Sequence, residues 1–197
     1  MFFIPSVVYV YCNTRPTGGY IHPQFRDIRM DKEELRALQA PLKEKYLRIP
    51  SSALVTLRAE GRIGEGITCN VETGKALREA GLHTATGGDG SSLCSGDMLL
   101  EALVACAGVT LRAVATSLGI ELRDAHLTAE GDLDFRGTLG VSKETPVGFT
   151  AVRLRFRLDT DASPADCATL LRLTERYCVV LQTLRNPPAV DTEIAPR

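Results

Sequence analysis

Neither sign of charge dominates this sequence: 23 lysines and arginines stand against 24 aspartates and glutamates, a formal net charge of -1. Without a basic surplus there is little to displace counterions from a phosphate backbone, and without an acidic surplus little to keep a tail solvated and unfolded. Nucleic acid is therefore not expected as a partner. Long uncharged apolar runs are also missing. The run Ala102 to Leu111 is bounded by Glu101 and Arg112 and is about half the roughly 20 residues that a bilayer crossing needs, so no membrane partner is expected either. The opening MFFIPSVVYVYC is apolar, but no basic residues precede it and Pro5 interrupts it, which argues against an export signal. The six cysteines are too few for a disulfide scaffold in 197 residues, and none is paired as C-x-x-C or set beside histidines at zinc-ligand spacing. No metal or cofactor is expected, and the cytoplasm is the expected compartment. His22, His83 and His126 are scattered and read as surface or hydrogen-bonded structural residues. The glycine-rich TATGGDGSSLCSGD has neither a G-K-[ST] ending nor G-x-G-x-x-G spacing, so it does not read as a phosphate cradle.

What remains is ample apolar material, 44% of the chain, enough for one substantial core. Residues 1–29 mix prolines and glycines with isolated aromatics and read as a poorly ordered N-terminal appendage without helical or strand period. Residues 30–52 form a helical segment, with Leu35, Leu38, Leu42 and Tyr46 on one side and a break or kink at Pro41. Residues 53–197 read as the main domain. In it, ALVTLRAEGRIGEGITCNVE suggests two short strands around a Gly61 to Gly66 turn. A helix is expected from about Gly96 or Asp97 to Gly119, apolar around most of its circumference and so buried on several sides by sheet, helix or a second chain. ELRDAHLTAEGDLDF and GFTAVRLRFRLDT read as strands. In the second, Val152, Leu154, Phe156 and Leu158 alternate with Arg153, Arg155 and Arg157, core against a solvated face. A second helix opens with Ser163 as N-cap and Pro164 at the first position, and carries Cys167 and Cys178; after Pro187 and Pro188, AVDTEI can form an edge strand. Strands, helix, strands, helix, strand describe an α+β fold with largely antiparallel pairing.

Cys106 lies at the centre of the first long helix. A thiol is a nucleophile only as thiolate, and burial opposes ionisation. The helix-end field fades within the first turn, and Arg112 is about 120° round and about 9 Å along the helix. By composition alone a cysteine in such a helix reads as core filler.

Two motifs point the other way. Asp97, an apolar turn, Glu101, Ala102-Leu103 and Ala105-Cys106 resemble the first active-site motif of the OsmC/Ohr family, in which proline, any residue, glutamate and an apolar run lead to a cysteine. RYCVVLQTL, with Cys178 near its start and Leu184 near its end, resembles the second. The two cysteines are separated by 71 residues that hold the expected strands. The resemblance implies the OsmC-like fold, antiparallel sheets packed around two long central helices in an intertwined homodimer. It implies a thiol peroxidase with Cys106 as peroxidatic and Cys178 as resolving cysteine, an organic hydroperoxide as substrate and an external dithiol as reductant. It also implies an arginine from the early strands held by an acid before the first cysteine, for which Arg62 and Asp97 are the matching positions, with Glu101 as the alternative acid. Ser95 stands where the family often has proline, Asp97 where it has the longer glutamate, and Val179 where it has proline. Cys94, in the loop before the helix, is a competing resolving thiol. The alternative on the same scaffold is a non-catalytic protein holding an apolar ligand at the dimer interface. A cysteine hydrolase or acyl transferase would need a histidine base, for which His83 and His126 carry no signature.

Overall fold

The structure, a computed structural model, describes residues 9–12, 31–49, 60–63, 68–72, 77–140 and 142–195. The first long element is α1 (Lys32–Arg48). It opens on a capping box: the Glu34 amide donates to Asp31 Oδ1 at 2.7 Å and the Asp31 amide donates to Glu34 Oε2 at 2.9 Å. The helix runs on through Pro41 rather than breaking. Proline costs an interior turn one hydrogen bond, and the Leu, Glu, Lys and Ala on either side favour helix strongly enough to span it.

Two sheets organise the remaining chain. β2 (Glu60–Ile63), β3 (Thr68–Glu72), β4 (Leu77–Gly81) and β5 (Leu93–Cys94) form one in that order, antiparallel except for β4 with β5. The expected hairpin is there, but Gly61 and Arg62 belong to its first strand, opposite Val71 and Asn70, instead of to the turn. The second sheet has the order β1 (Tyr9–Cys12), β7 (Phe149–Asp159), β6 (Asp124–Leu133). β1 falls in the segment that lacked strand period; its Tyr-Val-Tyr has strand preference of its own, and it pairs in parallel with β7. β6 and β7 are antiparallel, Asp124 opposite Asp159 through Leu133 opposite Phe149, with a register irregularity at the last step.

Between the sheets' sequences runs α2 (Ser95–Leu118), which ends as expected on Gly119 in the left-handed conformation at φ 71°. Its 24 residues have the length and composition of a membrane span, yet one face is packed on protein. Leu103, Ala107, Leu111 and Ala115, spaced four apart, are buried against Leu154, Phe156 and Leu158 of β7, Leu170 of α4 (Pro164–Tyr177) and Leu181 of α5 (Val179–Arg185). Full burial of each such leucine contributes about 1.5–3 kcal/mol. The opposite face is uncovered: Ala102 and Ala105 are exposed and Val109 is 73% exposed. The short α3 (Phe135–Thr138) links β6 to the loop before β7.

α4 begins as its sequence predicts, with Ser163 accepting from the Asp166 amide and Pro164 at the first position. It stops at Tyr177, so Cys178 is not inside a long helix but between two. The tail 187–195 has no strand, against the expectation for AVDTEI, and Val190 and Ile194 are exposed. A strand exists by its ladder, and among the described residues none pairs with this segment.

Candidate active site

The two motif cysteines meet where α2 passes the junction of α4 and α5. Cys106 is on the border of α2, between its buried stripe and its exposed one, and is half-buried. Cys178 is fully buried. Its amide donates to the Thr174 carbonyl at 2.9 Å, closing α4, and its carbonyl accepts from the Gln182 amide at 2.9 Å, opening α5. The break is pinned across its ends: Gln182 Nε2 donates to the Glu175 carbonyl at 2.7 Å, and Arg185 pairs with the Glu175 carboxylate at 3.2 Å. Val179 therefore serves here without the proline that would have marked the break in the sequence.

A new helix start carries amide hydrogens with no intrahelical acceptor. At this junction those amides bear on sulfur. Burial pushes the Cys106 thiol up. Hydrogen bonds from the Val180 amide, the Cys178 thiol, the Val179 amide and the Thr110 hydroxyl push it down and prevail, so Cys106 ionises below the ordinary range of a cysteine. For Cys178 burial again pushes upward. The Leu181 amide relieves this in part, but the hydrogen bond to Cys106 and the negative charge there push further up, and Cys178 holds its proton above the ordinary range. The two titrate as a pair: Cys106 takes the charge and Cys178 keeps the proton it donates to that charge. A low-lying thiolate beside a neutral thiol is the arrangement that can be oxidised at one sulfur and resolved by the other.

The other sequence-predicted residues sit elsewhere. Asp97, in the first turn of α2, is nine residues before Cys106, about half a turn round the helix at 3.6 residues per turn. Asp97 and Glu101, both exposed, line a cavity of about 400 Å³ with Leu100, Val104, Ala105 and Ala129. Neither has an ion-pair partner among the described residues. Arg62 is placed in β2 opposite Asn70, and its side chain lies outside the described residues. Cys94 is the N-cap of α2, twelve residues before Cys106 and about 18 Å away along the helix at 1.5 Å per residue, too far for a disulfide without unwinding the helix. Cys167 is buried in α4. His83 stacks on Phe135 at 4.8 Å and accepts from the Ala85 amide through Nδ1, a structural role. Among the described residues no cluster of histidine, cysteine or carboxylate side chains could hold a metal.

Sequence reasoning looked for a cation to ionise Cys106 and missed the donors found here. The Val179 and Val180 amides are legible only once the helix is seen to break at Cys178. Thr110 did leave a signal: apart from Cys106 itself, it is the one polar side chain in the apolar run Ala102 to Leu111, one helical turn after the cysteine.

The family model described as OsmC-like protein matches residues 88–193. No protein of curated function matches the chain. Among solved structures, an OsmC-like protein from Mycoplasma pneumoniae superposes with a TM-score of 0.57 at 14% identity, covering 68% of this chain and 89% of the other. An organic hydroperoxide resistance protein from Elizabethkingia anophelis gives a TM-score of 0.56 at 16% identity, over 68% and 91%. One from Legionella pneumophila, described as an organic hydroperoxide resistance protein OsmC, gives 0.54 at 21% identity, over 68% and 91%.

Proposed function

Because the chain belongs to the OsmC-like protein family, we propose that it is a thiol-dependent peroxidase that reduces organic hydroperoxides, with Cys106 peroxidatic and Cys178 resolving. One observation carries the reading: the two motif cysteines come together at the α4–α5 junction, Cys178 in the core and Cys106 packed against that core from α2, with their ionisation pushed in opposite directions. The names of two structural neighbours, organic hydroperoxide resistance proteins, agree with it.

The Cys106 thiolate attacks the terminal oxygen of the hydroperoxide. The O–O bond breaks, the sulfur is oxidised to sulfenic acid, and the alkoxide leaves and takes a proton from water to become the alcohol. Cys178 then gives up its proton and attacks the sulfenic sulfur; hydroxide departs with that proton as water and a disulfide forms. An external dithiol restores both thiols by exchange. Both sulfurs supply the chemistry, and the reading calls for no metal or cofactor. The reductant also fits a reducing cytoplasm. Ala102 and Val109, exposed on either side of Cys106 along α2, offer an apolar approach suited to an organic rather than a small polar peroxide. The same uncovered stripe is the surface on which a second copy would pack to make the homodimer. Arg62, held by Asp97 or Glu101, is the residue proposed to add a cation to the peroxide side of the site.

Intact-mass spectrometry after one equivalent of cumene hydroperoxide tests this. Wild type should lose two hydrogens, with a Cys106–Cys178 disulfide on peptide mapping, and Cys178→Ser should gain one oxygen at Cys106. Mass unchanged at both cysteines rules the reading out. The cavity beside Asp97 and Glu101 favours a second reading, a non-catalytic protein holding an apolar ligand against α2 at the dimer interface. Thiols inert to peroxide together with a co-purifying apolar molecule would select it.

A further inference from the structure

We propose that Gln182 is a positioning residue for the sulfur pair: its side chain takes the carbonyl that would otherwise carry α4 on through Cys178, and so folds α5 back over the two cysteines.

In an unbroken helix each carbonyl accepts from the amide four residues on, so the Glu175 carbonyl would accept from Val179 and α4 would continue. Cys178 departs from this at one angle. Its φ of -73° is helical but its ψ of 106° is extended, which turns the Val179 amide off the α4 ladder. The Glu175 carbonyl then lacks its helical donor, and an acceptor left unpaired in a half-buried place is costly.

Gln182 supplies the missing donor. Its Nε2 donates to the Glu175 carbonyl at 2.7 Å. Its Oε1 accepts from Asn186 Nδ2 at 3.2 Å, which fixes the side-chain amide with its donor end toward α4. Its backbone amide donates to the Cys178 carbonyl at 2.9 Å. One residue thus closes the last turn of α4 and opens the first turn of α5, and Arg185, 3.2 Å from the Glu175 carboxylate, ties the same two ends.

The sequence offers no other break here. Between Cys178 and Pro187 stands neither glycine nor proline, and leucine, glutamine and arginine continue a helix readily. The unbroken helix is therefore the competing state. The Glu175 carbonyl is where the two states part: Val179 holds it in one and Gln182 in the other.

The break decides what α5 covers. Leu181, 8% exposed, belongs to the same core cluster as Leu103, Leu111 and Cys178, with Val180 and Cys106 packed against it. A helix that ran on would carry Val180 and Leu181 away from α2 and open Cys178 to water. The catalytic consequence rests on the peroxidase reading: Gln182 keeps the resolving sulfur in the core beside the peroxidatic one.

The test is iodoacetamide labelling of the folded, reduced protein at pH 9, read at Cys178 by peptide mass spectrometry. Cys167, buried near the start of the same α4, is the internal control. Gln182→Met keeps the length and loses the donor. It should label Cys178 at least about tenfold faster than wild type, the scale of an acceptor left unpaired, while Cys167 stays protected. Adding Val179→Pro should restore the protection of Cys178, because proline has no amide to offer the Glu175 carbonyl and blocks the continuing helix. Cys178 already has the extended backbone that a residue before proline adopts. Labelling of Cys178 at the wild-type rate in Gln182→Met overturns the proposal. So does labelling of Cys167 together with Cys178, the sign of general loosening, and so does a double variant in which Cys178 stays open. Should Gln182→Met not fold, the double variant decides: folded with Cys178 protected it supports the proposal, and unfolded as well it overturns it. Consumption of cumene hydroperoxide is measured apart. A wild type inert to it removes the peroxidase reading, while the labelling pattern still decides the role of Gln182.

Discussion

The charged face of the β6–β7 sheet and the sulfur pair under α2 are opposite solutions to placing charge in a fold. On the sheet, formal charges meet in a ladder: Arg153 bonds Asp132 at 2.7 Å and Glu130 at 3.3 Å, and Arg155 reaches Glu130 at 2.6 Å. Arg123 does the same with Asp159 and Asp161 at the far end. Each arginine in these pairs is answered by a carboxylate, and water screens what is left. Under α2 no formal opposite charge among the described residues bears on Cys106; amides, a thiol and a hydroxyl do. Partial charges in a half-dry place move a sulfur's ionisation, whereas full charges in the wet mostly hold one another. The density of charge along β7 therefore marks a surface, and the sulfur proposed to react lies where the sequence is least polar.

The sharpest way to break this contrast is to remove each region's central atom. Cys106→Ser should lower peroxide consumption at least about a thousandfold, the scale of losing a nucleophile. Arg153→Ala should leave it unchanged. Comparable losses in both variants, measured by stopped-flow consumption of cumene hydroperoxide, would make the sheet face part of the site.

The dryness of the sulfur pair can be attacked without touching a donor. Leu103, fully buried one turn before Cys106, helps keep water from the pair. Leu103→Ala should destabilise the protein by about 2–5 kcal/mol in urea unfolding. A cost well below that range would mean the packing there relaxes and the sulfurs are wetter than the contrast requires.

The third comparison is of pH windows at the sulfur itself. With its ionisation lowered, Cys106 should be labelled half-maximally below the ordinary thiol value of about 8.5, and its rate should fall as pH drops through that half-point, since the thiolate alone reacts. Cys178, raised, should label only at higher pH. Peptide-resolved labelling from pH 5 to pH 10 gives both curves, and reversed order would exchange the roles of the two sulfurs.

Much of the frame was legible in the sequence. Alternation placed Leu154, Phe156 and Leu158 in the core and the arginines outside, Gly119 stopped α2, and Ser163-Pro164 started α4. These are local signals read by local chemistry. The break at Cys178 was not legible, because it depends on a tertiary match: Glu175, Gln182 and Arg185 hold the two helices at an angle that no proline announces. Hence the donors on Cys106 were sought as a cation. β1 was missed for a related reason, since four residues show no period and gain their conformation from β7. Tail residues Val190 and Ile194 failed in the other sense, alternating like a strand with no ladder to join.

The smallest expected effect tests the other half of the contrast, on the acid side. Arg153 and Arg155 hold the Glu130 carboxyl below its usual range, and Arg153 does the same for Asp132. The sign follows from linkage. A carboxylate whose folded ionisation is depressed contributes stability that is fully present above its unfolded value, about 4.3 for glutamate and 3.9 for aspartate, and is lost as pH falls through the lower folded value. The ladder should thus matter near neutrality and fade below about pH 4. Replacing Arg153 with alanine should lower the melting temperature slightly at pH 7 and not at all at the acid end, and added salt should shrink even the neutral difference. Melting curves of wild type and Arg153→Ala from pH 3 to pH 7, at low and high salt, decide it. A difference that grows as pH falls, or that ignores salt, would show the sheet charges acting as a buried network and would put them on the same footing as the sulfur pair.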